Sequence, residues 1–245
     1  MLHVPGTTLH RRATSRMPLT AARSTLLTLV LAWGSSAAAF APADLEKLHA
    51  DLHCFGCDLT HAVLDGAHLR EAYLTYADLS GASLVGVDLR SAYLRFAVLV
   101  GTDLTRAMLD DAALWDATLT GVVLTDASLK RAALRGATLR DADLSGADLT
   151  AAAVTNANLR GARLMGANLT DADLTRSALG GADLTGADLT RAKLVGAGLQ
   201  GADLTGADLT GADLTDANLS EAVLAGATFC GTTLPDGTHD DRDCP

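Results

Sequence analysis

A chain of 245 residues that is 49% hydrophobic but only 4% aromatic, with nearly all of its apolar content in Leu and Ala, lacks the material of an ordinary mixed core. A formal net charge of −10 disfavours a basic nucleic-acid clamp and a surface binder of anionic membranes. A repeat architecture is what such a composition predicts.

The first acidic residue is Asp44, preceded by Arg11, Arg12, Arg16 and Arg23, the apolar run Leu26 to Trp33 and the small-residue stretch Gly34 to Ala39. That order predicts a secretory signal peptide over residues 1–39. The apolar run is too short to span a bilayer, and cleavage is expected near Ala37-Ala38-Ala39, since a cut after Ala41 would leave Pro42 at the new N-terminus. Met17 is an alternative start, and the Arg11-Arg12 pair suits a twin-arginine route or an organellar bipartite leader. The competing reading is a disordered cytosolic extension. The expected location is therefore the periplasm or the exterior, or the thylakoid lumen in a photosynthetic host, without stable membrane insertion after cleavage. Loss of the four arginines leaves 15 basic residues against 29 acidic ones, a net −14.

Residues 40–56 read as an N-terminal cap helix and linker. Pro42 to Leu52 places Leu45, Leu48 and Leu52 on one helical face, with Asp44 and Glu46 in the first turn.

From Leu59 a Leu recurs every five residues to Leu234, 36 positions interrupted only by Val154 and Phe229. Ala stands two residues before it at 30 of the 36, the exceptions being Cys57, Val87, Thr102, Val122, Ser177 and Thr232, and 17 of 23 glycines stand two residues after it. Three residue types in one phase define a repeat. A helix cannot bury this pattern, because a step of five residues turns about 140° beyond a full revolution and winds the leucines around the cylinder. In an extended segment, Ala and Leu two apart share a face. The three residues to the next Ala must turn, and Gly, Asp or Asn there tolerates the dihedrals of a corner. Similar outward residues recur at 20: Tyr73 with Tyr93, Tyr76 with Phe96, Arg70 with Arg90, and Arg140 with Arg160. Four repeats per coil and about nine coils follow, a rod on the order of 40 Å long with an interior of stacked Leu and Ala and no room for a ligand.

The pattern, as in Ala182-Asp183-Leu184-Thr185-Gly186 and Ala202-Asp203-Leu204-Thr205-Gly206, resembles the pentapeptide-repeat family. The resemblance covers residues 57–236 and implies an all-β fold, a right-handed quadrilateral parallel β-helix. It implies no particular activity, because the repeated residues are structural and fold does not carry function.

The open ends of such a coil need caps. The helix at Pro42 would close one end; Phe229 and the turn Pro235-Asp236-Gly237 would close the other, leaving 237–245 as a tail. Cys54 and Cys57 at the front, and Cys230 and Cys244 at the back, allow three pairings, but the two ends of the rod are too far apart to mix. Disulfides Cys54–Cys57 and Cys230–Cys244 are expected in an oxidising compartment. The alternative for Cys54-Phe55-Gly56-Cys57 is a redox pair or metal ligands, with His49, His53 and His61 close in sequence. The irregular histidine spacing argues against a metal site, and no cofactor is expected.

Outside the rod, Tyr73, Tyr76, Tyr93, Phe96 and Trp115 gather on one side, with Arg95 and Arg135 on either side of Trp115 in a 20-residue column, predicting a cation–π sandwich. Exposed aromatics with Arg suit a protein or glycan interface, while the competing role is stacking that merely joins neighbouring coils. The later coils are acidic, with 12 acidic and 5 basic residues from Asp141 to Glu221 and columns such as Asp183 with Asp203 and Asp188 with Asp208. They offer oxygen ligands to a divalent cation, but exposed Asp also simply solubilises a Leu-filled rod. No Ser-His-Asp or comparable catalytic grouping is visible, so an enzyme is not expected.

The expected function is an exported, non-catalytic interaction or scaffold rod whose partner is a protein or an envelope polymer, with a homodimer left open. A second reading is DNA mimicry, which the resemblance brings in because some pentapeptide-repeat proteins imitate duplex DNA and bind type II topoisomerases. Residues 57–234 hold 22 acidic and 13 basic residues, a net −9. Over about 40 Å that is roughly one net charge per 4 to 5 Å, against about one per 1.7 Å of duplex. The charge is too dilute for a close mimic, and no nucleic-acid partner is expected.

Overall fold

The computed structural model describes residues 41–245, so the expected signal peptide lies outside the described residues. Helix α1 (Pro42–Asp51) starts where Pro fits the first helical turn and Asp44 meets the positive end of the helix dipole. It stops one residue short of the predicted end, because Leu52 turns left-handed (φ 61°) and donates its N–H to the Leu48 carbonyl at 3.0 Å. Leu45 and Leu48 are buried in the same cluster as the leucines of the repeat. Asp44 Oδ2 accepts the Asp58 N–H at 2.9 Å and Ala41 donates to the Asp58 carbonyl at 3.2 Å, which holds the helix against the first repeats.

Every isolated bridge beyond the helix is parallel and joins residues 20 apart, from His53 with Tyr73 to Asp213 with Thr233. Four five-residue repeats therefore complete one turn of the coil. Each central apolar residue from Leu59 to Leu214 donates upward, as Leu114 N does to the Ala133 carbonyl at 2.8 Å, and each outward residue from Tyr73 to Thr233 donates downward, as Ala113 N does to the Ala92 carbonyl at 2.9 Å. The backbone polar groups are thus satisfied between turns by a ladder of single bridges.

The corner has one fixed dihedral requirement. From His61 to Gly231, the residue two after each central apolar residue has φ between 54° and 70°. Glycine occupies this place without steric cost, whereas Phe96 or Arg131 there carries a penalty of about 1 kcal/mol or more. The coil enforces the conformation because the corner N–H bonds the next turn, as Tyr76 N does to the Arg95 carbonyl at 3.0 Å.

Inside, Ala and Leu form buried ladders. Where a hydroxyl replaces Ala it finds a carbonyl: Thr102 Oγ1 donates to Leu79 O at 2.8 Å, Ser177 Oγ to Leu174 O at 2.6 Å, and Thr232 Oγ1 to Leu209 O at 2.7 Å. These three exceptions to the pattern leave no unpaired buried group, as burial demands. Residues 237–245, expected as a tail, fold back: β1 (Thr232–Thr233) pairs antiparallel with β2 (His239–Asp240) around a turn in which Gly237 has φ 80°. No helix among the described residues is long and apolar enough to cross a membrane.

Truncating a central leucine tests the core directly. Leu134→Ala is expected to lower the unfolding free energy by about 2–5 kcal/mol, read by chemical denaturation, because the ladder above and below holds the cavity open.

Candidate functional site

The 20-residue register turns sequence columns into stacks. His53 lies on Tyr73 with ring centroids 4.4 Å apart, Tyr73 on Tyr93 at 4.7 Å, and Tyr76 on Phe96 at 4.9 Å, all near parallel. Phe55 meets Tyr76 edge-on at 5.4 Å. The Arg95 guanidinium lies 5.4 Å from the Phe96 centroid and 4.9 Å from that of Trp115, which carries the ladder into the next turn. Parallel strands impose this contact, since residues 20 apart sit about 4.8 Å from one another. Tyr73, Tyr76, Tyr93 and Trp115 all remain exposed, so the stack keeps an outer surface.

The expected sandwich around Trp115 is half formed. Arg95 lies over the indole, whereas Arg135 makes no such contact; both line an open concavity of about 530 Å³ with Trp115, Asp116, Ala133, Ala153 and Thr155. The hollow arises where the outward strand column steps from Tyr73 and Tyr93 to Ala113, Ala133 and Ala153. Small side chains there expose a floor against the Trp115 corner.

His53 and Phe55 extend this face beyond the residues expected from sequence. Their signal was available, because they stand 20 residues before Tyr73 and Thr75, but the cap region hides the register. Asp116 and the alanine floor carry no sequence signal of their own.

The cysteines are placed as two pairs. Cys54 and Cys57 bridge the first corner with Cα atoms 5.2 Å apart, and both are buried; Cys230 and Cys244 bridge with Cα atoms 4.7 Å apart and tie the chain end to the last turn. His53 Nδ1 faces the Asp51 carbonyl at 2.8 Å rather than the sulfurs. Among the described residues, no group of three or more His, Cys, Asp or Glu is arranged to hold a metal ion.

In the acidic coils the carboxylates turn inward on their own backbone. Asp183 Oδ1 accepts the Thr185 N–H at 3.0 Å, and Asp188, Asp203 and Asp208 do the same to Thr190, Thr205 and Thr210 at 2.9 Å. These are side-chain caps of the corner. The stacked acids are therefore turn residues first.

Eight copies of the model for pentapeptide repeats match the chain, at residues 53–90, 88–126, 127–166, 167–206 and 199–234. The chain belongs to the pentapeptide-repeat family. Among solved structures it is similar to HetL, a pentapeptide-repeat protein involved in heterocyst differentiation regulation from the cyanobacterium Nostoc sp. strain PCC 7120: 35% identity over 77% of this chain and 91% of that one, TM-score 0.52. It also matches QnrB1, a plasmid-mediated fluoroquinolone resistance protein, at 20% identity over 70% and 79% of the two chains (TM-score 0.37). A third match is a pentapeptide-repeat protein of the Arabidopsis thaliana thylakoid lumen, at 30% identity over 44% and 68% (TM-score 0.23). Comparison with curated proteins returns no match. The family gives the coil its hand and section, a right-handed quadrilateral β-helix. Pentapeptide-repeat proteins are generally non-enzymatic structural or interaction proteins.

Ion pairs brace this pentapeptide-repeat coil in both halves. Arg90 grips Asp88 with Nε at 2.8 Å and Nη2 at 2.7 Å, and Arg131 grips Asp111 one turn away with the same two distances. The hydrogen bonds from Arg90 hold the Asp88 carboxyl below its usual 3.8, and those from Arg131 do the same for Asp111. A depressed carboxylate stabilises the fold fully above its unfolded pKa and loses that contribution as pH falls through the folded value. Acid titration of unfolding is thus expected to show stability falling below about pH 4. Asp88→Asn should be less stable than wild type at pH 7 and flatter in its acid response.

Proposed function

We propose that this pentapeptide-repeat protein is an exported, non-catalytic interaction rod that engages a partner through the aromatic and arginine face around Tyr93 and Trp115. The observation that carries the reading is the coincidence, on one side of the rod, of an exposed aromatic ladder, a cation–π contact and a concavity. Stacking alone would stabilise adjacent turns, but stacked rings do not require the hollow beside Trp115. Aromatic and Arg anchors next to a concave floor are the side chains that dominate binding interfaces. The rod itself supplies rigidity: nine coils of hydrogen-bonded turns, capped by α1 in front and by the β1–β2 hairpin behind, present the face at fixed spacing. Partner proteins or envelope polymers are its targets.

Export gives the cysteines their role. In an oxidising compartment the Cys54–Cys57 and Cys230–Cys244 bridges pin the two ends where an open coil would fray. The Arg-rich, acid-free leader ahead of Asp44 supplies the route.

Two measurements test the reading. Trp115→Ala and Tyr93→Ala should each abolish capture of the partner while leaving the circular-dichroism spectrum intact; an unchanged partner set sinks the assignment of the face. The intact mass of protein from its native host, purified without reductant, should correspond to a chain beginning near Phe40 with no thiol open to alkylation. A full-length chain with four reactive thiols would place it in a reducing compartment.

A further inference from the structure

We propose that Tyr73 and Tyr93 form an oxidative modification site, at which a haem peroxidase with hydrogen peroxide joins the two rings as dityrosine within one chain. The rings stack with centroids 4.7 Å apart and planes 12° from parallel, and both side chains are exposed to solvent. An oxidant can therefore reach a pair that is already in contact. The site shares two residues with the face assigned above and stands whatever that face binds.

The backbone fixes the encounter. Tyr93 N–H donates to the Ala72 carbonyl at 2.9 Å and Leu74 N–H donates to the Tyr93 carbonyl at 2.8 Å, so the two turns are bonded on either side of Tyr73. A tyrosyl radical on one ring then meets its partner at an effective concentration that a second molecule in dilute solution cannot match. Composition confines the coupling to this pair. The chain holds three tyrosines, and the third, Tyr76, stacks on Phe96, which carries no phenol. The column offers no further phenol, since His53 precedes Tyr73 and Ala113 follows Tyr93. All four cysteines of the chain are paired, so none of its thiols stands by to return an electron to the radical.

The reaction balances on one peroxide. Each phenol gives one electron to the oxidised haem and its hydroxyl proton to water, and the two radicals, delocalised onto the ring carbons ortho to oxygen, couple through a new carbon–carbon bond. Each of those carbons then releases its hydrogen as a proton, and each phenol oxygen regains one. The net change is the loss of two ring hydrogens and the reduction of hydrogen peroxide to two waters. The link closes a loop over one 20-residue turn and adds a covalent rung to a ladder otherwise held by hydrogen bonds.

The test treats the full chain, with its disulfides intact and in dilute solution, with a haem peroxidase and equimolar hydrogen peroxide. The product should run as a monomer on a denaturing gel, weigh two hydrogen atoms less, show the blue fluorescence of dityrosine, and carry its link between the tryptic peptides 71–90 and 91–95. Tyr73→Phe and Tyr93→Phe keep a ring in the stack and should each lower the monomeric yield by about tenfold or more with an unchanged circular-dichroism spectrum. Tyr76→Phe, which removes the other phenol of peptide 71–90, should leave the yield within about twofold of wild type. An undiminished yield in Tyr73→Phe, or product found mainly as covalent dimers, overturns the proposal. Peroxide consumed without dityrosine overturns it equally. Partner capture by the untreated chain does not enter the test, so failure here leaves the binding face untouched, and failure of capture leaves the link untouched.

Discussion

The parallel hydrogen-bonded ladder between turns is the constraint on which everything else in this molecule depends. One residue in each extended segment bridges the residue 20 positions on, and the chain can keep that register only if each repeat turns the same corner. A single left-handed residue per repeat makes the corner, and the coil holds it there even when the residue is Tyr76, Phe96 or Arg131. The strain at those corners is local and small, of order 1–2 kcal/mol each, and is offset by the hydrogen bond that each of these three corner N–H groups makes to the next turn.

The same register decides what the surface looks like. Because residues 20 apart are neighbours, any similarity at that interval becomes a stack, and any change in size becomes a step. Tyr73 on Tyr93 is the first case, and the drop from Tyr93 to Ala113 and Ala133 is the second. A binding surface on such a rod is therefore written as a break in a column rather than as a loop, and the Trp115 corner is where a bulky column adjoins a small one. The acidic coils show the opposite regime, in which Asp carboxylates such as Asp183 and Asp203 cap their own corners.

The ends obey different physics. A repeating interior has no residue that can terminate it, so the terminal turns must be covered by elements outside the repeat. At the front, α1 contributes two leucines to the cluster and a carboxylate to the first turn. At the back, β2 returns against β1, Arg242 lies 4.9 Å from the ring centroid of Phe229, and Asp243 accepts the Phe229 N–H. The sequence of residues 237–245, polar and free of the five-residue phase, reads as a tail because the contacts that fold it back come from elsewhere in the chain.

By itself the sequence determined the five-residue unit, the residues facing inward, the 20-residue turn and the stacks Tyr73–Tyr93 and Tyr76–Phe96. These are legible because a periodic fold makes every long-range contact a function of local spacing. The grouping of the cysteines into two at the front and two at the back was legible for the same reason, since the rod separates its ends. Only the tertiary structure decided which way a long side chain lies once its column is fixed. Arg95 and Arg135 occupy equivalent places relative to Trp115, yet only Arg95 covers the indole, because a guanidinium on a flexible stem settles where neighbouring turns leave it room. Periodicity places the Cα atoms, whereas the hollow depends on side-chain volumes several turns apart, which no single repeat encodes.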